Sequence, residues 1–88
     1  MIKLLKFESD SCPQCKALSA TLERIFKENK IDIKNIDIEE DNNQDLIRKY
    51  NIRSIPTLIF LNEDKEYNRL VGNQSYATIN KIINYDTI

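Results

Sequence analysis

A helical segment between two short strand-like runs restricts the fold more than any other feature of this sequence. The run "IKLLKF" at 2–7 has the length and apolar content of a strand buried on both faces. The run "IDIKNIDI" at 31–38 is rich in β-branched residues and indicates a second strand, with its core part near 34–38. Between them, apolar residues recur at helical spacing, at Cys15, Leu18, Leu22, Ile25 and Phe26. Two strands joined by a helix should be parallel, with a right-handed crossover.

The remaining residues predict a second helix, a hairpin and a last helix. We expect Asn29 to end the first helix in a left-handed cap. "DNNQDLIRKY" at 41–50 should contain a short helix that buries Leu46, Ile47 and Tyr50. "TLIFL" at 57–61 and "EYNRLV" at 66–71 should form a hairpin, which Gly72 ends. A helix over about 75–83 should bury Tyr76, Ile79, Ile82 and Ile83. The order β-α-β-α-β-β-α predicts an α/β fold, a four-stranded mixed sheet with helices on both faces.

The composition limits the chemistry that this chain can perform. Its 88 residues fit a single domain over 1–88. A net charge of −1 offers no basic field for nucleic acid and no polybasic patch for a membrane. Because we find no signal peptide and no apolar run that spans a bilayer, we expect a cytoplasmic protein. The absence of histidine removes His-based metal sites and Ser-His or Cys-His nucleophile pairs.

The only two cysteines stand in "SDSCPQCK" at 9–16, where the first helix should begin. Pro13 suits the first helical position, where its missing N–H costs nothing. Unpaired N–H groups and the helix dipole favour a negative charge at Cys12, so the pKa of its thiol should lie below the roughly 8.5 of a free thiol. Lys16 and Lys6 add positive charge nearby. Cys15, one turn later, should be more buried and keep a higher pKa.

The Cys-x-x-Cys spacing is compatible with three roles. Residues three apart on a helix are neighbours, so a disulfide forms with little backbone movement. The loop that it closes is very short, so a structural staple would stabilise the fold little. A pair that opens and closes at little cost suits thiol–disulfide exchange, in which Cys12 attacks and Cys15 resolves. A metal carrier is the third role: two thiols can bind copper(I), whereas a zinc site would need a dimer.

A second signal lies in "NIRSIPTLIF" at 51–60, where Pro56 precedes an apolar strand. A proline at the first residue of a strand is allowed and would need no further explanation. The alternative is a cis-proline that faces the cysteines. Since only about 5–6% of X-Pro bonds in folded proteins are cis, Pro56 alone does not support this alternative.

Three segments together resemble the thioredoxin superfamily: "FESDSCPQCK", "NIDIEEDNNQDLIRKYNIRSIPTLIFL" and "RLVGNQS". They occur in the family's order and cover essentially the whole chain. The resemblance implies a thioredoxin-like fold, with Cys12 as nucleophile, Cys15 as resolving thiol and Pro56 as a cis-proline beside them. It implies no cofactor other than this redox-active pair.

The resemblance also implies where a substrate binds. Ile55 should offer backbone groups to an extended substrate peptide, a short β-augmentation. Gly72 and Asn73 should form the neighbouring rim. Glutaredoxins often have a pair of glycines there for glutathione, and Gly72-Asn73 keeps half of that signal.

The chain departs from thioredoxins around the cysteines. Pro13-Gln14 replaces the usual Gly-Pro and is closer to the Pro-x of glutaredoxins, and Ser11 replaces a Trp. Lys6 stands where the family has a buried acid. We expect the Lys6 side chain to reach the surface; otherwise it lowers the pKa of a nearby thiol or meets a carboxylate of a substrate.

These features predict a monomeric thiol–disulfide oxidoreductase that reduces protein disulfides and receives electrons from a reductase or from glutathione. Two alternatives stay open. One is a glutaredoxin-like protein that uses glutathione. The other is a Cys-x-x-Cys metal carrier, although Asp10 stands where such chaperones usually have a Met two residues before the first cysteine.

Overall fold

The computed structural model describes residues 1–85 and has the element order that the sequence predicts. The strands are β1 (Ile2–Glu8), β2 (Asp32–Asp37), β3 (Thr57–Asn62) and β4 (Lys65–Val71). The helices are α1 (Pro13–Asn29), α2 (Gln44–Lys49) and α3 (Tyr76–Tyr85), and a 3₁₀ turn at Asp41–Asn43 precedes α2. None of the helices in the described part of the chain has the length and apolar content needed to cross a bilayer.

The four strands form one mixed sheet in the order β2-β1-β3-β4. β1 lies parallel to β2, as the helix between them requires, and antiparallel to β3. The hairpin of β3 and β4 turns at Glu63 and Asp64, whose φ angles of 51° and 67° are both positive. Hairpin loops of two residues favour this conformation because its twist matches that of the flanking strands.

The sheet separates two apolar clusters. α1 and α3 pack on one face, where Leu18, Ile25 and Ile79 contact alternate residues of the central strands. The other face carries α2, with Tyr50 and the half-buried Ile47 packed on that side. Alternation along β1 supplies both clusters, because successive side chains of a strand point to opposite faces. The predicted mixed sheet with helices on both faces is therefore confirmed.

The C-terminal end of α1 differs from our expectation. Lys30, not Asn29, takes the left-handed conformation, with φ of 53° and a 3.0 Å hydrogen bond from its N–H to the carbonyl of Phe26. Asn29 stays helical, and its side-chain amide donates to the carbonyl of Ile25 and to Oδ1 of Asn80 on α3. The cross-helix partner of Asn29 comes from tertiary packing, which the local sequence does not reveal.

At one end of the sheet, three strand ends lie side by side: the exit of β1, the entry of β3 and the exit of β4. Because β1 and β3 are antiparallel, with Phe7 opposite Thr57, the exit of β1 lies beside the entry of β3. Val71 at the exit of β4 also pairs with Thr57. The connection from β1 to α1, the Pro56 turn and Gly72 therefore share this end of the sheet.

Candidate active site

The two cysteines occupy the start of α1 and differ in exposure. Cys12 is the N-cap residue, with an extended backbone, and Pro13 begins the helix. The sulfur atoms of Cys12 and Cys15 are bonded to each other, and their Cα atoms are 5.2 Å apart. Cys15 is only 1% exposed, whereas Cys12 is half-buried. A reagent from solvent therefore reaches the Cys12 side of the pair.

The helix start surrounds the Cys12 sulfur with positive potential. The backbone N–H of Cys15 donates a 3.1 Å hydrogen bond to Cys12 Sγ, as N-cap side chains do with the unpaired donors of a first turn. The first turn of α1 contains no acidic residue. Gln14 and Lys16 are both exposed. This environment favours a negatively charged sulfur at Cys12.

Lys6 does not reach the surface, so our expectation for this side chain is wrong. Its exposed fraction is 0%, and the ammonium group is held under the start of α1. Nζ donates to the carbonyl oxygen of Cys15 at 2.8 Å and to the hydroxyl of Ser19, and it lies 2.7 Å from a carboxylate oxygen of Glu8. An ammonium group has three hydrogens, so these three acceptors satisfy it fully. Burial of this charge is therefore possible because Glu8 on β1 and Cys15 and Ser19 on α1 replace water as partners.

The strand period and the helix period together explain this arrangement. Lys6 and Glu8 are two residues apart on β1 and point to the same face, the face that α1 covers. Cys15 and Ser19 are four residues apart on α1 and also share one face. Ser19 donates a second hydrogen bond, of 3.1 Å, to the Cys15 carbonyl. We had not singled out Glu8 or Ser19, although these two spacings were visible in the sequence.

The second half of the site is the turn before β3. The peptide bond between Ile55 and Pro56 is cis, the conformation that the resemblance implies. Pro56 is buried, and Ile55 is half-buried against the α2 side of the sheet. The hydroxyl of Thr57 donates to the carbonyl of Ser54 at 2.6 Å, which closes the turn. Gly72 donates its N–H to the carbonyl of Pro56 at 2.8 Å.

The structure therefore brings the predicted residues together in two groups at one end of the sheet. Cys12, Cys15 and Lys6 are linked by direct contacts through the start of α1. Pro56 and Gly72 are linked by a hydrogen bond, and Asn73 follows as an exposed residue. Among residues 1–85, no three Cys, His, Asp or Glu side chains cluster in a way that could hold a metal ion.

Comparison with known proteins gives one consistent result. A family model described as Thioredoxin matches residues 1–85. A thioredoxin from Bacillus subtilis is 29% identical over 83 residues, which are 94% of this chain and 80% of that protein. A mutant thioredoxin from Halobacterium salinarum superposes with a TM-score of 0.89 and 26% identity, over 99% of this chain and 75% of that one. For thioredoxin 1 from Thermosipho africanus the TM-score is 0.84 and the identity 28%, over 97% and 93% of the two chains.

Proposed function

The chain belongs to the thioredoxin family of thiol–disulfide oxidoreductases, and we propose that it reduces disulfide bonds in other proteins. The observation that supports this most directly is the asymmetry of its cysteine pair. Cys12 is accessible at the helix start, and Cys15 is buried within bonding distance behind it. This is the arrangement that a nucleophile and a resolving thiol require.

In the first step, the thiolate of Cys12 attacks one sulfur of the substrate disulfide. A bond forms between Cys12 Sγ and that sulfur, the substrate disulfide breaks, and the other substrate sulfur leaves as a thiolate that takes a proton from solvent. The helix start and the N–H of Cys15 stabilise the attacking thiolate. Pro13 keeps the first turn in helical geometry while its neighbours react.

In the second step, the thiolate of Cys15 attacks Cys12 Sγ. The bond between Cys12 and the substrate breaks, the substrate leaves as its second thiol, and the Cys12–Cys15 disulfide forms. The substrate has then gained two electrons, and an external reductant returns two electrons to the pair. Since Cα atoms 5.2 Å apart already suit a disulfide, this step needs little movement of the backbone.

The Pro56 turn and the rim after β4 are the proposed substrate edge. Ile55 would pair its backbone with an extended stretch of substrate beside the reacting sulfur. Gly72 and Asn73 would border that stretch from the other side, since Gly72 is fixed to Pro56 by a hydrogen bond. Gln14 and Lys16 are exposed next to Cys12 and would contact the substrate or tune the thiolate. We propose that the chain acts as a cytoplasmic monomer with no added cofactor.

A disulfide reduction assay on insulin, run with each reductant in turn, tests the proposal. The first arm supplies NADPH and a thioredoxin reductase, and the second supplies glutathione, glutathione reductase and NADPH. We expect turnover in the first arm, as the family membership favours. Turnover only in the second arm would identify a glutathione-dependent enzyme instead.

The matched variants are Cys12→Ser and Cys15→Ser, which change one atom each. Neither should reduce insulin catalytically. If the wild-type chain is inactive in both arms and copurifies with copper or zinc, the carrier alternative replaces the proposed function.

A further inference from the structure

The proposed function uses the two sulfurs but gives no role to the buried ion pair beneath them. Lys6 is 0% exposed, and Glu8, its carboxylate partner at 2.7 Å, has a side chain that is 26% exposed. Burying an ammonium group is costly unless it is paired and fully hydrogen-bonded. An apolar residue at position 6 would fill the same face of β1 without that cost. The charge at this position therefore calls for a role.

The hydrogen bonds of Lys6 connect its charge to Cys15, both directly and through Ser19. Nζ of Lys6 lies 2.8 Å from the carbonyl oxygen of Cys15. Ser19, the second hydrogen-bonded partner of Lys6, donates to the same carbonyl. Cys15 is 1% exposed, so little water is available to stabilise a charge on its sulfur. The Lys6 ammonium group, held against the Cys15 backbone, supplies a fixed positive charge on this side of the residue.

Three charged residues of the sheet lie on this face near the start of α1: Lys6, Glu8 and Asp37, which pairs with Glu8 across β1 and β2. The half-buried Asp37 carboxylate accepts a 2.9 Å hydrogen bond from the N–H of Glu39, away from Lys6. On the neighbouring strands, the residues opposite Lys6 are Asn35 on β2 and Leu58 on β3, both uncharged. On α1 itself, Lys16 and Glu23 are exposed.

We propose that Lys6 is a positioning residue for the resolving step, because its ammonium group stabilises the negative charge that Cys15 carries as it attacks. Glu8 holds the ammonium in place and partly neutralises it, so Glu8 moderates the effect. This inference rests on the proposed function and adds the residues that set the speed of its second step.

The chemistry of the step balances without a proton from Lys6. The Cys15 thiol gives its proton to solvent, and its sulfur attacks Cys12 Sγ. The Cys12–Cys15 bond forms as the bond from Cys12 to the substrate sulfur breaks, and the released thiolate takes a proton from solvent. Lys6 keeps its three hydrogens on Nζ, hydrogen-bonded to the same three acceptors throughout.

The test separates the two steps with dithiobis(nitrobenzoate), a small aromatic disulfide whose thiolate product is coloured. Attack by Cys12 on the reagent releases one coloured thiolate, and attack by Cys15 on the mixed disulfide releases a second. Stopped-flow absorbance follows both releases. The first is a bimolecular reaction, which excess reagent makes fast. The second release is then intramolecular and reports Cys15 alone.

Removing the charge of Lys6 and removing the charge of Glu8 should change the rate of the second release in opposite directions. Lys6→Met should slow the second release about tenfold and move its pH profile upward by about one unit, since one unit corresponds to a tenfold change. Glu8→Gln should speed the second release and move the profile downward. A purely structural role would not produce changes of opposite sign.

Lys3→Met is the matched control, because it removes the same charge from the same strand. Lys3 is half-exposed and pairs with Asp32 at 3.9 Å, on the opposite face of β1 from Lys6. The rates of both releases in this variant should stay within about twofold of the wild-type rates, well below the tenfold change expected for Lys6→Met.

Equal second-release rates and pH profiles in the wild type, Lys6→Met and Glu8→Gln would overturn the inference, as would changes of the same sign. If Lys6→Met does not fold, Glu8→Gln decides alone: acceleration supports the inference, and an unchanged or slower release overturns it. Failure of the proposed function is distinct, since a wild-type chain that releases only one coloured thiolate would have no resolving cysteine.

Discussion

The backbone N–H of Gly72 donates a hydrogen bond of 2.8 Å to the carbonyl oxygen of Pro56. This contact continues the β3–β4 ladder by one step beyond the pair of Thr57 and Val71. It joins the turn before β3 to the residue after β4, so the two sides of the proposed substrate edge are held together. Gly72 has a φ of 88°, a backbone conformation that residues with a side chain rarely adopt.

Replacing Gly72 with Ala should therefore lower stability through the backbone and not through a clash. A Cβ at this position would meet nothing within 4 Å, so space is available. A residue with a Cβ pays about 1–2 kcal/mol for the left-handed conformation, and we expect urea unfolding to show a loss of that size. Gly72→Asn is the matched variant and should lose less, because Asn tolerates positive φ. Equal stability of Gly72→Ala and the wild type would contradict this explanation.

Cys12 and Cys15 should behave as chemically distinct thiols in the reduced chain. Near neutral pH, iodoacetamide should modify Cys12 quickly and Cys15 slowly, because only Cys12 lies at the open end of α1. Peptide mass spectrometry over time measures both rates. Cys15→Ser should accumulate mixed disulfides with substrate proteins, and Cys12→Ser should accumulate none. Equal modification rates would remove the basis for these roles.

The reduction potential should be more oxidising than that of thioredoxin. The helix start and the exposed Lys16 stabilise the thiolate, which favours the reduced form of the pair. We expect a potential above about −270 mV and nearer the range of about −200 to −230 mV that glutaredoxins show. Equilibration with glutathione redox buffers, followed by thiol trapping, gives the value. A potential at or below −270 mV would show that Pro13-Gln14 and Lys16 do not act in this way.

A contact between α1 and α3 should make stability depend on pH at both extremes. The Tyr76 hydroxyl donates to the carboxylate of Glu28, and Arg24 lies 3.8 Å above the Tyr76 ring. The hydrogen bond from Tyr76, and then Arg24, lower the pKa of Glu28 below its usual range. The same hydrogen bond raises the pKa of Tyr76, because it holds the phenol in its protonated form.

Both effects stabilise the fold near neutral pH, and they are lost at opposite ends of the pH range. A lowered Glu28 pKa adds stability above the ordinary Glu pKa of about 4.3, and this is lost as the pH falls through the folded-state value. A raised Tyr76 pKa adds stability below about pH 10, and this is lost as the pH rises through the folded-state value. Tyr76→Phe removes the Tyr76 effect and the larger part of the Glu28 effect, which is the hydrogen bond, and it keeps the ring under Arg24. Urea unfolding should show the largest difference from the wild type near neutral pH, and a difference independent of pH would contradict the assignment.

The order of elements was predictable because each segment has a clear period. β1, α1 and the β3–β4 hairpin lie where alternation, helical spacing and turn residues place them, within one or two residues at their ends. α3 extends to Tyr85, beyond the expected end near Ile83, since no strong stop signal follows. The helix cap at Lys30 was not predictable, because a lysine is an unusual residue in the left-handed conformation.

The geometry of the candidate active site was predictable as far as local sequence determines it. The positions of Cys12, Pro13 and Cys15 follow from the start of a helix, and the resemblance supplied the cis conformation of Pro56. The environment of Lys6 depends on which face of β1 it shares with α1 and on two partners, Glu8 and Ser19, that become neighbours only after packing. A lysine in a strand usually reaches the surface, so the general rule fails where tertiary partners replace water.

The sheet divides the apolar interior into two clusters, and α1, which carries both cysteines, packs on only one of them. α1 rests on the cluster that includes Leu18 and Ile79, whereas α2 rests on the cluster that includes Ile36 and Tyr50. Stability changes at sites that share no partners usually add without coupling. The α2 side could therefore drift in evolution, or be redesigned for a new partner, while the tuning of the thiols on the other side is preserved.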